Sequence, residues 1–408
     1  MKAYERLINY AKVHTASVDL AETVPSTARQ FDLARLLVQE MTDLGICDVY
    51  LDEHCFVYGK LPATPGLEDV PCVGFLAHLD TIPDFSGENV RPQVIQDYDG
   101  DDIPLGESGR VLSPKNFPHL RDLLGATLVV TDGTTVLGAD DKAGVAEIMT
   151  AAERILTENI PHGPIAIGFC PDEEIGHGAA LLYLDRFGAS LAYTLDGGGT
   201  GEIEYENFNA AAAEVEFKGF NVHPGSAKNT MINATLLAVT FCSMLPNGET
   251  PRDTEGYEGY YHVMELSGNV EAAKLHLIIR DHDAGCFEAR KRTLEHITKL
   301  LNEQYGEGTV SLTIREQYRN MLEVIRPHFE VVEKAMAAIR ACGMEPSAMP
   351  IRGGTDGAQL TFRGLPCPNL STGSYGHHGP YEFAVAEEMD WCVDLVLGIV
   401  AEFARQTD

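Results

Sequence analysis

Positive charge is scarce in this 408-residue chain: 30 lysines and arginines stand against 61 aspartates and glutamates, a formal net charge of −31. Nucleic acid and anionic membrane surfaces reward lysine and arginine, so neither is expected as a partner. Any anionic part of a ligand must be met by a few well-placed arginines or by metal. The nine cysteines contain no Cys-x-x-Cys, and most sit in apolar surroundings such as "GFCPD" and "DWCVDL". That pattern argues against a disulfide framework and for a reducing cytoplasm. No apolar run reaches the ~18 residues of a membrane span. The opening "MKAYERLINYAKV" reads as a charged helix rather than a signal peptide. Repeats and low-complexity segments are also missing. A cytoplasmic, soluble protein is expected, of two domains at roughly 100–200 residues each.

What is present alternates between helix and strand. "STARQFDLARLLVQEMTDLG" predicts a helix opened by a Thr27-x-x-Gln30 capping box and closed at Gly45. "PCVGFLAH", "GPIAIGFC" and "SLAYTL" are apolar runs that suit buried strands of a mostly parallel sheet, and "KAGVAEIMTAAERILTEN" is a helix between them. Such alternation implies an α/β fold with a mostly parallel sheet flanked by helices. From about residue 208 the character changes. "AAAEVEFKG", "NATLLAVTFCSML", "GYYHVMELSG", "AKLHLIIRDHD", "CFEARKRTLEHITKLLNEQYG" and "TVSLTIREQ" give the order β-α-β-β-α-β, a ferredoxin-like α+β pattern. The helices "PHFEVVEKAMAAIRACG" and "AEEMDWCVDLVLGIVAEFARQ" return to the first style. One α/β domain, residues 1–207 plus 323–408, is therefore expected to be interrupted by an inserted α+β domain, 208–322.

Each buried strand ends in metal-type ligands: His78 and Asp80 after "GFLA", Glu173 and Glu174 after "GFCPD", and Asp196 after "AYTL". In open α/β sheets ligands gather beyond the carboxyl ends of strands, so three segments aim at one edge. "VLGADDKAG" adds Asp140 and Asp141 at a helix start, and "GSYGHHGPYEF" adds His377 and His378 in a glycine-rich loop. Alone, each is explained by a surface turn, a helix cap, a solvated face or a loop. Together they supply two or more imidazoles and several carboxylates, which is a metal site. Imidazole and carboxylate without thiolate suit Zn²⁺, with Co²⁺ or Mn²⁺ as substitutes. Five ligands are too many for one catalytic ion and suit two, ~3.5–4 Å apart, sharing a carboxylate. In His78-x-Asp80 both side chains point the same way, so Asp80 can hold the His78 ring. Of Glu173 and Glu174, one can bind metal while the other serves as general base. A local Glu174-x-x-His177 metal grip fails, because Gly176 and Gly178 disfavour the helix it needs. His177 reads as loop, and Asp172 as a residue that shapes the turn.

These motifs resemble the co-catalytic dinuclear zinc exopeptidases, a family that includes aminoacylases and several carboxypeptidases. "HLDT", "GADDKAG", "PDEEIGHG" and "LDGG" match the family at large. "VHPGSAKNTMINA", "TEGYEGYYH", "IIRDHD", "FEARKR" and "PIRGGTDGAQLTFRGLPCPNL" are similar to its tripeptide-cleaving aminopeptidases, and the similarity spans the chain. The resemblance implies that His78, Asp140 and Asp196 hold one zinc, with Asp140 bridging to a second held by Glu174 and His378. It makes Glu173 the general base and Asp80 the partner of His78, with a cis peptide between Asp140 and Asp141. It implies that Arg352, with Arg280 as a second candidate, meets the carboxylate of a tripeptide, where a bidentate guanidinium fits well. His223 is implied to stabilise the oxyanion from a partner subunit, and Asn233 to touch the substrate backbone. The inserted domain is implied to act as lid and to form a homodimer. The implied reaction is release of the N-terminal residue of a tripeptide by a zinc-activated water. A dipeptidase, carboxypeptidase or N-acyl-amino-acid deacylase would use the same centre. Two positions depart from the pattern: His377, where an aromatic is expected, and Asn229, where a smaller residue is expected.

Overall fold

The computed structural model describes residues 1–405. They form two compact units, one of Met1–Tyr205, Glu323–Met349 and the segment from Thr355 on, the other of Glu206–Leu322 with Pro350–Gly354. The excursion Pro350–Gly354 comes from the stretch expected to rejoin the catalytic domain. No helix among the described residues is long and apolar enough to cross a membrane.

The first unit is built on an eight-stranded sheet. Its order is Cys47–Leu51, Val57–Leu61, Ile165–Cys170, Val73–His78, Leu191–Gly197, Asn369–Ser371, Glu202–Asn207 and Ser347–Ile351. The four middle strands run parallel, whereas pairings toward the edges are antiparallel. The parallel character expected of the sheet thus belongs to its centre. Every residue of Val73–His78 and Ile165–Cys170 is buried, because helices cover both faces, as continuous apolar strands require. Register then aligns the strand ends. His78 lies opposite Cys170, three residues before Glu173. On the other side Leu76 pairs with Thr194, so His78, two residues on, falls level with Asp196. A smaller sheet, Ser374–Tyr375, Phe383–Val385, Leu128–Val130 and Gln93–Ile95, carries the glycine-rich histidine loop between its first two strands.

One expected boundary is corrected. The second helix starts at Gln30 and has no side-chain cap at its N-terminus. The Thr27-x-x-Gln30 box does not form because the Gln30 side-chain oxygen accepts from Asp172 N at 3.2 Å instead, while its NH₂ donates to the Asp172 carboxylate at 2.6 Å. The helix does end at Gly45, whose φ of 83° is the left-handed conformation that glycine adopts without cost. The closing helix spans Ala386–Ala404; Gln406, at the end of its expected span, lies outside the described residues.

The inserted unit is a four-stranded antiparallel sheet, ordered Tyr260–Gly268, Ala272–Asp281, Asn209–Lys218, Val310–Tyr318. Two helices, Ala234–Ser243 and Ala284–Tyr305, close its core with Leu237, Phe241, Phe287, Leu294 and Ile297 against Val215, Phe217, Leu275 and Leu277. This is the β-α-β-β-α-β arrangement read from the sequence. Asn229 adopts φ 60°, a conformation its short polar side chain tolerates better than most.

Candidate active site

The strand ends converge on Asp140. One oxygen of its carboxylate lies 3.0 Å from His78 Nε2 and the other 3.1 Å from His378 Nε2. Asp196 Oδ1 approaches the same His78 nitrogen at 3.7 Å, and Glu174 Oε2 approaches the same His378 nitrogen at 3.2 Å. One ligand atom each from His78, Asp140 and Glu174 falls within 4.8 Å of the others, and the same holds for His78, Asp141 and Asp196. The peptide bond between Asp140 and Asp141 is cis, as the resemblance implied.

Buried acids hold this geometry. Asp80, fully buried, lies with Oδ1 3.3 Å from His78 Nδ1, and its main-chain oxygen is 3.1 Å from the same nitrogen. With the proton on Nδ1, the Nε2 lone pair is left for the centre. The Asp80 carboxylate also accepts the backbone N–H groups of Glu173 at 3.0 Å and Glu174 at 3.3 Å. Asp141, 1% exposed, accepts the backbone N–H of His78 and of Gly144. Asp172 has its partners too: it accepts from Ser26 N at 2.6 Å, Ser26 Oγ at 2.5 Å and Gln30 at 2.6 Å. Its left-handed φ of 56° starts the short 3₁₀ turn Glu173–Ile175. His378, at φ 65°, is a second residue of the centre in this conformation. Such conformations cost on the order of 1–3 kcal/mol and collect at functional sites.

The donor set fits divalent cations. None of Asp140, Glu173, Glu174 or Asp196 forms an ion pair with lysine or arginine among the described residues; their charged partners are histidines alone. Lys142, nearest in sequence, is buried and donates to the Val13 carbonyl. The acids' demand for positive charge shows at the neighbouring histidines. Hydrogen bonds to Asp140 and Glu174 push His378 up to about 10. Burial would raise Asp140, yet hydrogen bonds from His378 and His78 hold it well below the usual carboxylate range. Burial, followed by the charge of Asp196, pushes Glu173 well above that range. A carboxylate raised in this way is suited to take and return a proton.

His378 is the histidine of its pair that faces both Asp140 and Glu174. His377 instead meets Ser374 Oγ through Nε2 at 2.9 Å, and its Nδ1 stays 3.7 Å from Asp140. His177 is exposed and outside the cluster.

The remaining expected residues belong to the inserted unit. His223 is exposed, and its Nδ1 accepts the Gly225 N–H at 3.1 Å, which leaves the proton on Nε2 as a donor. Asn233 caps the Ala234–Ser243 helix by accepting from Leu236 N. Arg280 is 9% exposed, donates to the carbonyls of Ala211 and Ile279, and lies over the Tyr318 ring. It does not pair with Asp281, which binds Arg290, or with Asp283, which caps the next helix. Arg352 is engaged by a distant loop of the same unit: it donates to the carbonyls of Gly256, Glu258 and Thr254 and to the Thr254 hydroxyl, over the rings of Phe208 and Tyr260.

Two further carboxylates at the centre, Asp356 and Glu382, were not among the residues expected from the sequence. Asp356 accepts the Ala179 N–H at 2.9 Å, closing the turn after Glu174, and burial pushes it up to about 7. Gly178 has no room for a Cβ beside it, since that atom would meet Asp356 Oδ1 at 2.4 Å. Glu382, 2% exposed, accepts three backbone N–H groups around Asp140. The "HHGPYE" spacing, an acid four residues after a ligand histidine, was the available hint.

Comparison with known proteins gives a consistent picture. Residues 205–309 match the peptidase dimerisation domain family. Peptidase T of Clostridium perfringens is 50% identical over 406 residues, which cover 99% of this chain and 100% of that one. Among solved structures, aminopeptidase PepT from Bacillus cereus superposes with a TM-score of 0.78 at 24% identity, covering 99% of this chain and 98% of that one. A Bacillus subtilis dinuclear metal-binding peptidase of the M20 family does so with a TM-score of 0.62 at 14% identity, covering 98% and 97%.

Proposed function

The chain belongs to the peptidase T family, and from that premise we propose that it is a metal-dependent aminopeptidase that releases the N-terminal residue of tripeptides. The observation that carries this reading is the Asp140 carboxylate, which offers one oxygen toward His78 and the other toward His378, none of the proposed carboxylate ligands forming an ion pair with lysine or arginine among the described residues. His78, Asp140 and Asp196 would hold one ion, and Asp140, Glu174 and His378 a second. Zn²⁺ suits this donor set best, with Co²⁺ or Mn²⁺ as substitutes. Two such ions, when bound, acidify a water and polarise the scissile carbonyl.

The residues of the chain do the rest. Glu173 takes the proton of the attacking water and returns it to the leaving amine. Asp80 keeps the His78 ring and the Glu173 backbone in register with each other. His223, with its proton on Nε2, is proposed as a hydrogen-bond donor to the tetrahedral oxyanion, acting across a homodimer. Arg352 and Arg280 are proposed to meet the C-terminal carboxylate. Neither forms an ion pair with an acid among the described residues, so neither guanidinium charge is already taken by a carboxylate. Asn233 is proposed to contact the substrate backbone through the amide NH₂ that its capping role leaves over.

Dimerisation is proposed through the inserted unit. Tyr260–Gly268 is an edge strand with Val263, Met264 and Leu266 exposed, and the Ala234–Ser243 helix exposes Leu236 and Val239. Edges of this kind seek a partner strand. A cytoplasmic setting suits nine cysteines that form no disulfide. Assay of di-, tri- and tetrapeptides, before and after chelation and metal return, tests the function. Restored cleavage confined to tripeptides supports it, and hydrolysis confined to N-acyl-amino acids overturns it.

A further inference from the structure

We propose that Glu382 is the positioning residue for the bridging carboxylate, setting the backbone at Asp140 and tying it to the hairpin that carries His378. Its oxygens are spent on main chain alone: Oε2 accepts from Leu137 N and Gly138 N, each at 2.8 Å, and Oε1 from Asp140 N at 2.9 Å. Gly138 has a φ of 73°, which turns successive N–H groups inward at the start of the helix Ala139–Glu158. Such a concavity of converging N–H groups is an anion cradle; it lies ahead of the regular helix, since Asp140 (φ −83°, ψ 102°) and Asp141 (φ −119°, ψ 33°) are not helical. Here the protein fills the cradle with its own carboxylate.

The placement of Glu382 explains why this matters. Phe383 pairs with Tyr375 on one side and Val130 on the other, so residue 382 emerges between the histidine hairpin and the strand that leads to Asp140. One side chain therefore ties the hairpin that carries His378 to the backbone of Asp140, 242 positions before Glu382. Asp140 must turn one oxygen to each imidazole, and slack in its backbone would spoil both approaches. The site shared by Asp140, Glu174 and His378 depends on Glu382 through two of its three members, the site of His78 and Asp196 through Asp140 alone.

This inference rests on the two-metal reading above, and the experiment separates the two. Metal-free wild type, E382Q and E382D are titrated with cobalt(II), following absorption for the stepwise occupancy, and the metal-free proteins are melted in parallel. In E382Q an NH₂ group replaces one acceptor and faces donors. The expected result is weakening of one ion by about 10- to 100-fold, the usual cost of losing an outer partner, with the other ion less affected. Wild-type affinities for both ions overturn the role of Glu382. Equal weakening of both ions with a lower melting temperature also overturns it, as a general loosening. Should E382Q fail to fold, E382D, one methylene short but still charged, must show the same unequal loss, and wild-type binding by it is contrary. Wild type taking fewer than two ions would instead bring down the two-metal reading itself.

Discussion

Asp80 accepts the backbone N–H of Glu173 at 3.0 Å while lying 3.3 Å from the ring nitrogen of His78. The residue expected only to orient an imidazole thus also anchors the turn that presents the acids, and the two halves of the centre share one buried carboxylate. Asp80→Asn keeps the size but opposes an NH₂ group to a donor. A drop in kcat/KM of about 10- to 100-fold is expected, with a stability loss of about 1–3 kcal/mol from the unsatisfied N–H. Steady-state kinetics and denaturant melts check both. A variant with full activity would show that the Glu173 turn holds itself.

Glu173→Gln removes the proton acceptor and leaves the proposed ligands in place. Metal content should stay at the wild-type level while kcat falls by on the order of 10²–10⁴. Metal analysis and tripeptide turnover on the same preparation decide it. Near-normal turnover would reassign the base.

Arg352 presents a conflict that kinetics can resolve. Its guanidinium is held by the loop Thr254–Glu258, yet the proposed function gives it the substrate carboxylate. Arg352→Ala should raise KM strongly for tripeptide free acids and much less for the matching C-terminal amides. Equal losses on both would mean that clamping the Thr254–Glu258 loop is its whole task.

The buried contact between Asp172 and the start of the second helix predicts a stability effect without a chemical one. Gln30→Ala leaves the Asp172 carboxylate short of one donor and should cost about 1–3 kcal/mol, read as a lower melting temperature. Tripeptide kinetics at a temperature where both proteins are folded should change far less than in Asp80→Asn.

The sequence exposed the residues of the centre because each ends an apolar run or opens a helix, where local pattern alone says that the side chain lies at a sheet edge. His78, Asp140, Glu173, Glu174 and Asp196 were legible in that way, and the resemblance chose among their roles. The supports were hidden, since they depend on contacts between distant segments. Glu382 meets Asp140 from 242 residues away, Asp172 meets Gln30 from 142, and Asp356 meets Ala179 from 177. Gln30 misled for the same reason: its spacing from Thr27 satisfied a local rule, and the distant Asp172 outcompeted it. For Arg352 local pattern suggested only a solvated loop, and the resemblance alone implied a ligand role. Its partners lie 94 to 98 residues earlier.

The central claim is a two-ion centre bridged by Asp140, and the most direct test is a metal count on chelated and reloaded protein. Wild type should take two divalent ions per chain, His378→Ala one, His377→Ala two, and Asp140→Ala neither with wild-type affinity. A wild type that saturates at one ion, or an Asp140→Ala variant that still binds two tightly, would contradict it.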